Sequence, residues 1–537
     1  MGERRKAARS ATRAPWWKGA VLYQVYPRSF QDSNGDGIGD LHGITQRLDH
    51  VASLGVDGVW ISPFFTSPMK DFGYDVADFC NVDPVFGTLA DFDALVARAH
   101  SLGLRVIIDQ VWSHSSSAHP WFAESRSSRA NPRADWYVWA DAKADGTPPS
   151  NWQSVFGGPA WTWDARRGQY YLHNFLADQP DLNLHNPEVR AAILDVARFW
   201  LARGVDGFRI DALNFAMHDP KLRNNPPAPA GRGLRTRPFD FQIRKYNQSH
   251  PAIPQFLEEV RAVLDEAGQA FSVAEVGGDE AIREMRAFTK GRRRLHSAYG
   301  FDFLYADRLT PELVAESMAK WPDRPGTGWP SWAFSNHDAP RAISRWAPKG
   351  HERAFAAMAL ALLFALRGNV FLYQGEELGL TQVEVPFAHL KDPEAIANWP
   401  LTLSRDGART PMPWVAGAAH AGFSDAAPWL PLGADHPALA VDRQEADPAS
   451  LLHLTRRLVA LRNAQPALRL GGFRLAEAAD RLLSFERHHR GARVRCFFNL
   501  SGDVIDFAPG GGTPLLALNG AKAGTLPPFA ALVERVA

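Results

Sequence analysis

Residues 207–214, G-F-R-I-D-A-L-N, predict a short apolar strand that carries an arginine and an aspartate. Side chains alternate along a strand, so Arg209 and Asp211 share one face while Phe208 and Ile210 take the other. A guanidinium beside a carboxyl keeps the acid ionised, which suits a carboxylate nucleophile. The alternative is a purely structural Arg–Asp ion pair. The motifs along the rest of the chain distinguish a catalytic aspartate from a structural one.

The composition indicates a large, ordered globular protein. Its 537 residues predict two or three domains, and 45% of them are hydrophobic. The net charge of +1 gives no reason to expect nucleic acid or acidic polymers as partners, so the substrate should be neutral. The 18 Trp suit the faces of sugar rings, although most tryptophans in a large enzyme belong to its core.

The cysteines and the N-terminus bear on location. Cys80 and Cys496 lie far apart, each in an apolar run, which favours reduced, buried thiols. The basic N-terminus is not followed by the apolar stretch of a secretory signal, and no apolar run has the length of a membrane span. We therefore expect a cytoplasmic monomer or homodimer with no membrane and no nucleic acid as partner.

Strand-like and helix-like segments alternate along most of the chain. The predicted strands are 21–26, 57–63, 104–111, 207–214, 271–276, 332–335 and 370–373, and the predicted helices are 88–102, 186–203, 252–267, 352–365 and 448–463. Repeated βα units with apolar strands imply a parallel sheet covered by helices. The number of repeats is near eight, so we predict an α/β fold with a closed (β/α)8 barrel.

Two stretches depart from the barrel pattern. The tryptophan-rich segment 114–181 predicts a subdomain inserted after the third strand, and short alternating strands near the C-terminus predict an antiparallel β-domain. The predicted organisation is a flexible tail at 1–14, a barrel built from 15–113 and 182–466, the inserted subdomain at 114–181, and the β-domain at 467–537. An irregular stretch at 219–240 follows the Asp211 strand and is expected beside the substrate entrance.

The loop D-S-N-G-D-G-I-G-D at residues 32–40 predicts a calcium site. Oxygen-bearing side chains recur at nearly every second position, and Gly37 permits the sharp turn. The predicted ligands are Asp32, Asn34, Asp36, Ile38 and Asp40. The loop departs from an EF-hand because Gly43 stands at its twelfth position, and an Asx-rich turn without metal is the alternative. No organic cofactor is expected.

Polar residues cluster where the predicted strands end, which is where barrels of this kind place their chemistry. They are Asp75, Asp109, His114, Arg209, Asp211, Glu275 and the run Asn336, His337 and Asp338. Any one of them has a structural explanation. Together, several carboxylates, two histidines and an arginine at successive strand ends are hard to explain by packing, so they predict an active site.

Further motifs extend over nearly the whole chain. They are A-V-L-Y-Q-V-Y-P-R-S-F at 20–30, Q-P-D-L-N at 179–183, F-S-N-H-D at 334–338, Y-Q-G-E-E-L-G at 373–379 and R-T-P-M-P-W at 409–414. With these motifs in this order, the chain resembles glycoside hydrolase family 13, the α-amylase superfamily. Within it, the chain resembles the branch of α-glucosidases and oligo-1,6-glucosidases.

The resemblance implies a retaining mechanism with two carboxyls. Asp211 would attack the anomeric carbon to form a β-glucosyl-enzyme, and Glu275 would protonate the leaving oxygen and then deprotonate the acceptor. Arg209 is expected to hold Asp211 anionic, while the apolar V-A-E-V context is expected to raise the pKa of Glu275. Asp338 would hold sugar hydroxyls and favour the distorted ring.

The resemblance also assigns the sugar contacts. The expected substrate-binding residues are Tyr74, Asp75, His114, Arg209, His337 and Arg409. Tyr74 would stack on the glucose, and His114 and His337 would hydrogen-bond it. Asp75 and Arg409 match the pair that closes the pocket in exo-acting members, which implies that short α-glucosides are trimmed one glucose at a time.

Two positions refine the expected activity. Family members acting on α-1,6 bonds tend to carry Val after the nucleophile and those acting on α-1,4 bonds Ala or Thr, so Ala212 favours α-1,4 linkages. Ser113 replaces an Asn that is a calcium ligand in amylases, which leaves the loop at 32–40 as the metal candidate.

The resemblance predicts a retaining exo-α-glucosidase with small α-glucosides and hydroxyl acceptors as its partners. The first alternative is an α-glucosyltransferase that passes glucose to an alcohol, a phenol or a sugar. A sucrose-converting enzyme is a second alternative. A non-catalytic transporter-associated binding subunit is a third, but it could lose the acid pair and would need a membrane anchor.

Overall fold

The computed structural model describes residues 14–536 except 231–234, 269, 325, 402–403 and 480. Residues 1–13 of the predicted tail lie outside the described residues. In the described part of the chain, eight parallel strands close into a barrel. They are β1 Val21–Val25, β2 Gly58–Ile61, β3 Arg105–Gln110, β4 Gly207–Ile210, β5 Phe271–Glu275, β6 Ser297–Tyr299, β7 Trp329–Trp332 and β8 Asn369–Tyr373. β1 pairs with both β2 and β8, which confirms the predicted barrel.

At least one helix follows each barrel strand. In chain order they are Leu41–Ser53, Leu89–Ser101, Pro187–Ala202, Ile253–Glu266, Ala281–Phe288, Pro311–Ala319, then Ala342–Trp346 and Glu352–Ala365 after β7, and Leu451–Ala464 after β8. Shorter helices span Pro120–Ser125, Pro393–Ala397, Val441–Ala446 and Pro466–Leu470. Local sequence sets their starts: Thr88 and Asp91 form a capping box, and Asn186 caps the helix that Pro187 begins. Across the described residues, no helix combines the length and apolar character needed to cross a membrane.

Two barrel strands differ from the prediction. β7 runs over Trp329–Trp332 and not over 332–335, and its Pro330 pairs with Ala298 of β6. Proline lacks the N–H that a residue of a central strand donates, so a sequence that contains Pro330 does not indicate a central strand. β6 has three residues, which is too short to carry a recognisable period.

The segment after β3 forms the predicted inserted subdomain. Its antiparallel sheet contains Trp139–Ala140, Gln169–Leu172 and Trp161–Asp164, in that order. Trp152 and Trp161 stack at 5.6 Å inside its small core, so these two tryptophans pack and do not form a sugar platform. Bridges from His114 to Asp181 and from Tyr137 to Leu182 tie the subdomain to the barrel edge.

The C-terminal part forms the predicted antiparallel sheet. Its strands, in spatial order, are Gly472–Ala479, Leu482–His489, Ala492–Asn499, Ala531–Val536 and Thr513–Leu518, and a small ribbon pairs Ile505–Asp506 with Thr525–Leu526. Two fully buried arginines donate to main-chain carbonyls near this junction: Arg487 of the sheet joins it to the barrel, and Arg462 of the Leu451–Ala464 helix binds the barrel itself. Arg487 donates to Gly471, Gly472 and Ala365, and Arg462 donates to Gly19, Phe364, Leu366 and Gly368. Both arginines clamp the turn between the Glu352–Ala365 helix and β8.

Candidate active site

Arg209 of β4 gathers three carboxyls at the ends of three adjacent strands. Its Nη1 lies 2.6 Å from Asp109 Oδ1 and 2.5 Å from Asp211 Oδ1, and its Nη2 lies 2.5 Å from Glu275 Oε1. β3, β4 and β5 are neighbours in the barrel, so their last residues meet around one guanidinium. The structure therefore brings the predicted nucleophile and the predicted acid together, as a retaining pair requires.

Two aromatic residues that the sequence analysis missed complete this network. The Tyr299 hydroxyl accepts from Arg209 at 3.0 Å and donates to Glu275 Oε1 at 3.0 Å. Trp60 donates from Nε1 to Asp109 Oδ2 at 2.8 Å. Tyr299 is the last residue of β6, so a recognised sixth strand would have pointed to it. Trp60 lies inside an apolar strand, where nothing in the sequence marks its polar contact.

The predicted rise in the pKa of Glu275 is confirmed, but the prediction that Arg209 holds Asp211 anionic is wrong. Burial raises the pKa of Asp211 to about 7 and that of Glu275 to about 7, while the charge of Arg209 opposes both shifts. Arg209 contacts the two groups equally closely, so it does not single out Asp211 as the anion. Two close, buried carboxyls titrate together, and their repulsion favours a state in which the pair carries one proton. That state is the one from which a nucleophile and an acid can act.

Asp338 lies opposite this pair and is held by cations. Arg409 Nη2 donates to Asp338 Oδ1 at 2.7 Å, and Arg409 Nε donates to the His337 carbonyl at 2.7 Å. Burial acts to raise the pKa of Asp338, but His337, Arg409 and Arg405 together hold it below its ordinary value. Asp338 is therefore a fixed anion, suited to accept hydrogen bonds from sugar hydroxyls.

The predicted histidines and tyrosine lie around the same pocket. The Tyr74 hydroxyl is 2.6 Å from His337 Nε2, and the two rings stack at 5.5 Å with an interplanar angle of 3°. His114 Nε2 lies 3.1 Å from the Tyr74 carbonyl and its Nδ1 lies 2.9 Å from the Ser113 hydroxyl. Burial lowers the pKa of His337 to about 3 and that of His114 to about 4, so both are neutral near pH 7.

The predicted closing pair, Asp75 and Arg409, is wrong. Asp75 is fully buried and accepts from the Ser67 hydroxyl and from the backbone amides of Lys70 and Asp71 at 2.9 to 3.0 Å. It therefore holds its own loop. The carboxylate that meets an arginine is Asp71, whose Oδ1 lies 3.0 Å from Arg405 Nη2. Each partner stands four positions before the predicted one.

A family model for the catalytic domain of α-amylase matches residues 24–471. The protein belongs to the α-amylase family, glycoside hydrolase family 13. The closed parallel barrel and the carboxyl cluster at its strand ends are consistent with membership of this family. The family, the fold and the enzyme class predicted from the sequence are thereby confirmed.

Its similarity to named proteins places this family member in the α-glucosidase branch. It is 54% identical over 497 residues to a probable α-glucosidase of Rhizobium meliloti, covering 91% of this chain and 90% of the relative. It is 36% identical to an oligo-1,6-glucosidase of Parageobacillus thermoglucosidasius over 86% of each chain. Among solved structures, the α-glucosyl transfer enzyme XgtA matches with a TM-score of 0.94 and 49% identity over 98% of this chain and 100% of its own. A trehalulose synthase MutB variant matches with a TM-score of 0.89 and 33% identity over 97% and 100%.

The predicted calcium loop of this family member is closed by hydrogen bonds of its own. The Asp32 carboxylate accepts from the amides of Asn34, Gly35 and Gly37, and Asp40 caps the Leu41–Ser53 helix. The oxygen donors fit calcium chemically. Yet no three His, Cys, Asp or Glu side chains form a group that could hold a metal ion anywhere in the described residues. Calcium at this loop stays a prediction.

Proposed function

We propose that the protein is a retaining, exo-acting α-glucosidase that removes a non-reducing terminal α-1,4-linked glucose from maltose, short oligosaccharides and aryl α-glucosides. The observation that carries this proposal is the pair of carboxyls, Asp211 and Glu275, on the two terminal nitrogens of Arg209. A shared guanidinium keeps the carboxyls close enough for the double displacement of retaining enzymes.

The reaction uses both carboxyls twice. Asp211 attacks the anomeric carbon and forms a covalent β-glucosyl ester, while the Glu275 proton passes to the departing glycosidic oxygen. Glu275, now a carboxylate, takes a proton from a water molecule, whose oxygen attacks the anomeric carbon and releases α-glucose and Asp211. Tyr299, hydrogen-bonded to Glu275 and Arg209, keeps the acid oriented through both steps.

The terminal glucose is held by the residues around Asp338. The Asp338 carboxylate, fixed by Arg409, accepts hydrogen bonds from the sugar hydroxyls, and the neutral His114 and His337 form further hydrogen bonds with the sugar. Asp71 and Arg405 close the side of the pocket. A pocket closed in this way would accommodate one glucose beyond the scissile bond, which is the exo-acting mode, and starch should then be a poor substrate.

A second candidate function is α-glucosyl transfer. The similarity to XgtA, which is described as an α-glucosyl transfer enzyme, favours it. The same covalent intermediate would be intercepted by an alcohol, a phenol or a sugar, with the stretch at 219–240 as a candidate wall of the acceptor site. Products formed from maltose with and without an added alcohol separate the two functions, and sucrose offered alone tests a sucrose-converting activity.

Azide rescue tests the two carboxyl roles separately. With p-nitrophenyl α-glucoside, Asp211→Gly should be inactive until azide replaces the nucleophile, which gives β-glucosyl azide. Glu275→Ala should still form the intermediate, because nitrophenolate leaves without a proton, and azide should then give α-glucosyl azide. The opposite assignment of anomers, or no azide product from either variant, would reject the mechanism. An inactive parent enzyme would instead favour a binding subunit.

The proposed location is the cytoplasm. What supports it is that Cys80 and Cys496 are both free thiols and that Cys496 is buried. Reduced, unpaired cysteines are typical of a reducing compartment. Fractionation of the source cells, with activity followed on maltose, tests this proposal directly.

A further inference from the structure

The side-chain amide of Asn214 bridges the two turns that follow the catalytic strands. A single 3₁₀ turn, Leu213–Phe215, comes directly after β4, and the buried Asn214 lies at its centre. Its Nδ2 donates to the carbonyl of Gly277, two residues after Glu275, at 3.1 Å. One side chain therefore joins the turns after β4 and β5, in addition to the Arg209 guanidinium that holds the carboxyls themselves.

Gln248 holds this amide in place. Gln248 Oε1 accepts from Asn214 Nδ2 at 2.6 Å, and the backbone amide of Ser249 donates to the Asn214 carbonyl at 2.6 Å. Ser249 has φ 63°, which is unfavourable for a residue with a Cβ atom. Strain of this kind persists only where surrounding contacts impose it, and it clusters at active sites. The Gln248 amide also lies against Gly278, where an added Cβ would be 2.9 Å from Gln248 Nε2.

The preceding side chain, Asn247, contacts the inserted subdomain. Its Nδ2 donates to Asn174 Oδ1 at 2.8 Å, and its Oδ1 accepts from Asn225 Nδ2 at 2.9 Å. Asn174 in turn donates to the Asp181 carboxylate through both its backbone amide and its side chain. All four residues are buried. The two consecutive residues 247 and 248 therefore link the catalytic turns to the subdomain.

Burial explains why these amides are hydrogen-bonded, but it does not explain where the bonds lead. Buried amides are hydrogen-bonded in nearly all proteins, so bonding by itself indicates only packing. Here the two bonds of Asn214 Nδ2 run from the turn after the nucleophile, one to the turn after the acid and one to Gln248. The backbone amide of Ala212 makes a further contact, 3.3 Å from Glu275 Oε2. The turn after β4 is thus bonded both to the acid and to the turn that follows the acid.

We propose that Asn214 and Gln248 are positioning residues that hold Asp211 and Glu275 at the separation needed for double displacement, and that Asn247 anchors them to the inserted subdomain. This inference rests on the proposed roles of the two carboxyls. Retaining enzymes keep their carboxyls about 5–5.5 Å apart, and a misplacement of about 1 Å can slow a reaction about a hundredfold. Asn214 is buried, so it acts through the two turns and not through the sugar.

Kinetics separate positioning from sugar binding. Gln248→Met removes the acceptor for Asn214 with little change in side-chain size, and Asn214→Ala removes the bridge itself. In each variant kcat for maltose should fall about 10- to 100-fold while KM changes little, because the glucose keeps its contacts with Asp338. Asn499→Ala is the matched control. It truncates another buried asparagine whose amide donates to carbonyls, but in the C-terminal sheet, so it should lower Tm and leave kcat unchanged.

The pH profile is a readout that a mere loss of stability would not move. Burial raises the pKa of Glu275, the charge of Arg209 lowers it, the charges of Asp211 and Asp338 raise it further, and the hydrogen bond from Tyr299 lowers it. Without the bridge the two turns separate and the repulsion from Asp211 weakens. The alkaline limb of kcat/KM for maltose should therefore move to lower pH. The control variant should keep the wild-type limb.

A double-mutant cycle tests whether the two positioning residues act through one bond. Gln248→Met should cost little further kcat in the Asn214→Ala background, because the donor is already gone, and should keep its full effect in the Asn499→Ala background. If Asn214→Ala does not fold, kcat and the pH profile of Gln248→Met decide alone. Wild-type kcat and an unmoved alkaline limb in Gln248→Met, with the azide rescue of Asp211→Gly and Glu275→Ala intact, would overturn the positioning alone. Failure of that rescue would overturn it together with the roles of the two carboxyls.

Discussion

Arg405 lies 3.0 Å from the Asp71 carboxylate and thereby joins the loop after β2 to the loop after β8. The same guanidinium contacts Asp392 at 2.8 Å and reaches Asp338 at 3.5 Å. Burial raises the pKa of Asp71 to about 6, against the opposing charges of Arg405 and Arg409. In the proposed function this contact closes one side of the sugar pocket, so it should govern how tightly a terminal glucose is held.

Asp71 and Asp75 should give opposite phenotypes. Asp71→Asn should weaken the proposed charge-assisted contact of Asp71 with the terminal glucose, worth about 1.5–3 kcal/mol, so the KM for maltose should rise roughly 10- to 100-fold. The amide oxygen can still accept from Arg405, so Tm should change little. Asp75→Asn replaces one of the two oxygens that accept from the loop amides of Lys70 and Asp71, and should lower Tm instead. Kinetics on maltose and a thermal melt of each variant provide the check. A larger KM effect from Asp75→Asn would restore the pair predicted from the sequence.

The alkaline limb of the pH–rate profile should follow the ionisation of Glu275. Its carboxyl must be protonated to act and its pKa is raised by burial to about 7, so kcat/KM for maltose should fall about tenfold per pH unit above that value. An activated aryl α-glucoside, which needs less proton donation, should show a weaker decline in kcat. A flat maltose profile up to pH 9 would contradict this role.

The same group should make stability depend on pH. The Glu275 carboxyl titrates near 4.5 when unfolded and near 7 when folded, so the folded state binds the proton more tightly. The free energy of unfolding should therefore fall as pH rises from 4.5 to 7. Glu275→Gln should raise Tm at pH 8 and leave it unchanged at pH 4, while Glu266→Gln at an exposed helix end does neither. A Tm gain of equal size at both pH values would argue against this linkage.

Ala212 should limit the choice of linkage through its backbone. It has φ 39° and ψ 40°, a left-handed conformation that a β-branched residue adopts only with strain of about 1–2 kcal/mol. Ala212→Val should raise the ratio of isomaltose to maltose hydrolysis about tenfold and also lower Tm. Ala212→Gly is the matched control, with an unchanged ratio and no loss of Tm. An unaltered ratio of isomaltose to maltose hydrolysis in the valine variant would show that position 212 does not determine which glycosidic bond is cleaved.

Calcium should stabilise the protein through the loop at 32–40. If Ca²⁺ binds Asp32, Asn34, Asp36, Asp40 and the carbonyl of Ile38, a hundredfold excess over Kd adds about 3 kcal/mol, which chelation removes. Calorimetry with EDTA and with restored Ca²⁺ measures this change. Asp36→Asn should blunt the response, and Asp145→Asn, in an exposed turn, should not. An equal Tm in both buffers, with no metal found by mass spectrometry, would show that the loop is an Asx-rich turn that binds no calcium.

The barrel was predictable because its strands and helices carry regular periods. The catalytic carboxyls were predictable for a related reason, since Asp211 and Glu275 stand at or just beyond the ends of two apolar strands. Where a period fails, prediction failed as well, as in the three-residue β6 and the proline-containing β7. Loop contacts were least predictable. Nothing in the sequence D-F-G-Y-D tells which aspartate meets the arginine. Backbone amides, which every residue carries, donate to Asp75, and Asp71 is left to contact Arg405.

The contact of Arg487 with Ala365 makes the barrel dependent on the C-terminal sheet. Arg487 comes from the sheet, yet it donates to the carbonyl of Ala365, one turn before β8 begins. A protein shortened before the sheet would lose that donor and leave the carbonyl without its bond, next to the strand that leads to the sugar pocket. Chimeras that exchange C-terminal sheets between relatives should therefore succeed only where the incoming sheet supplies an arginine at this position.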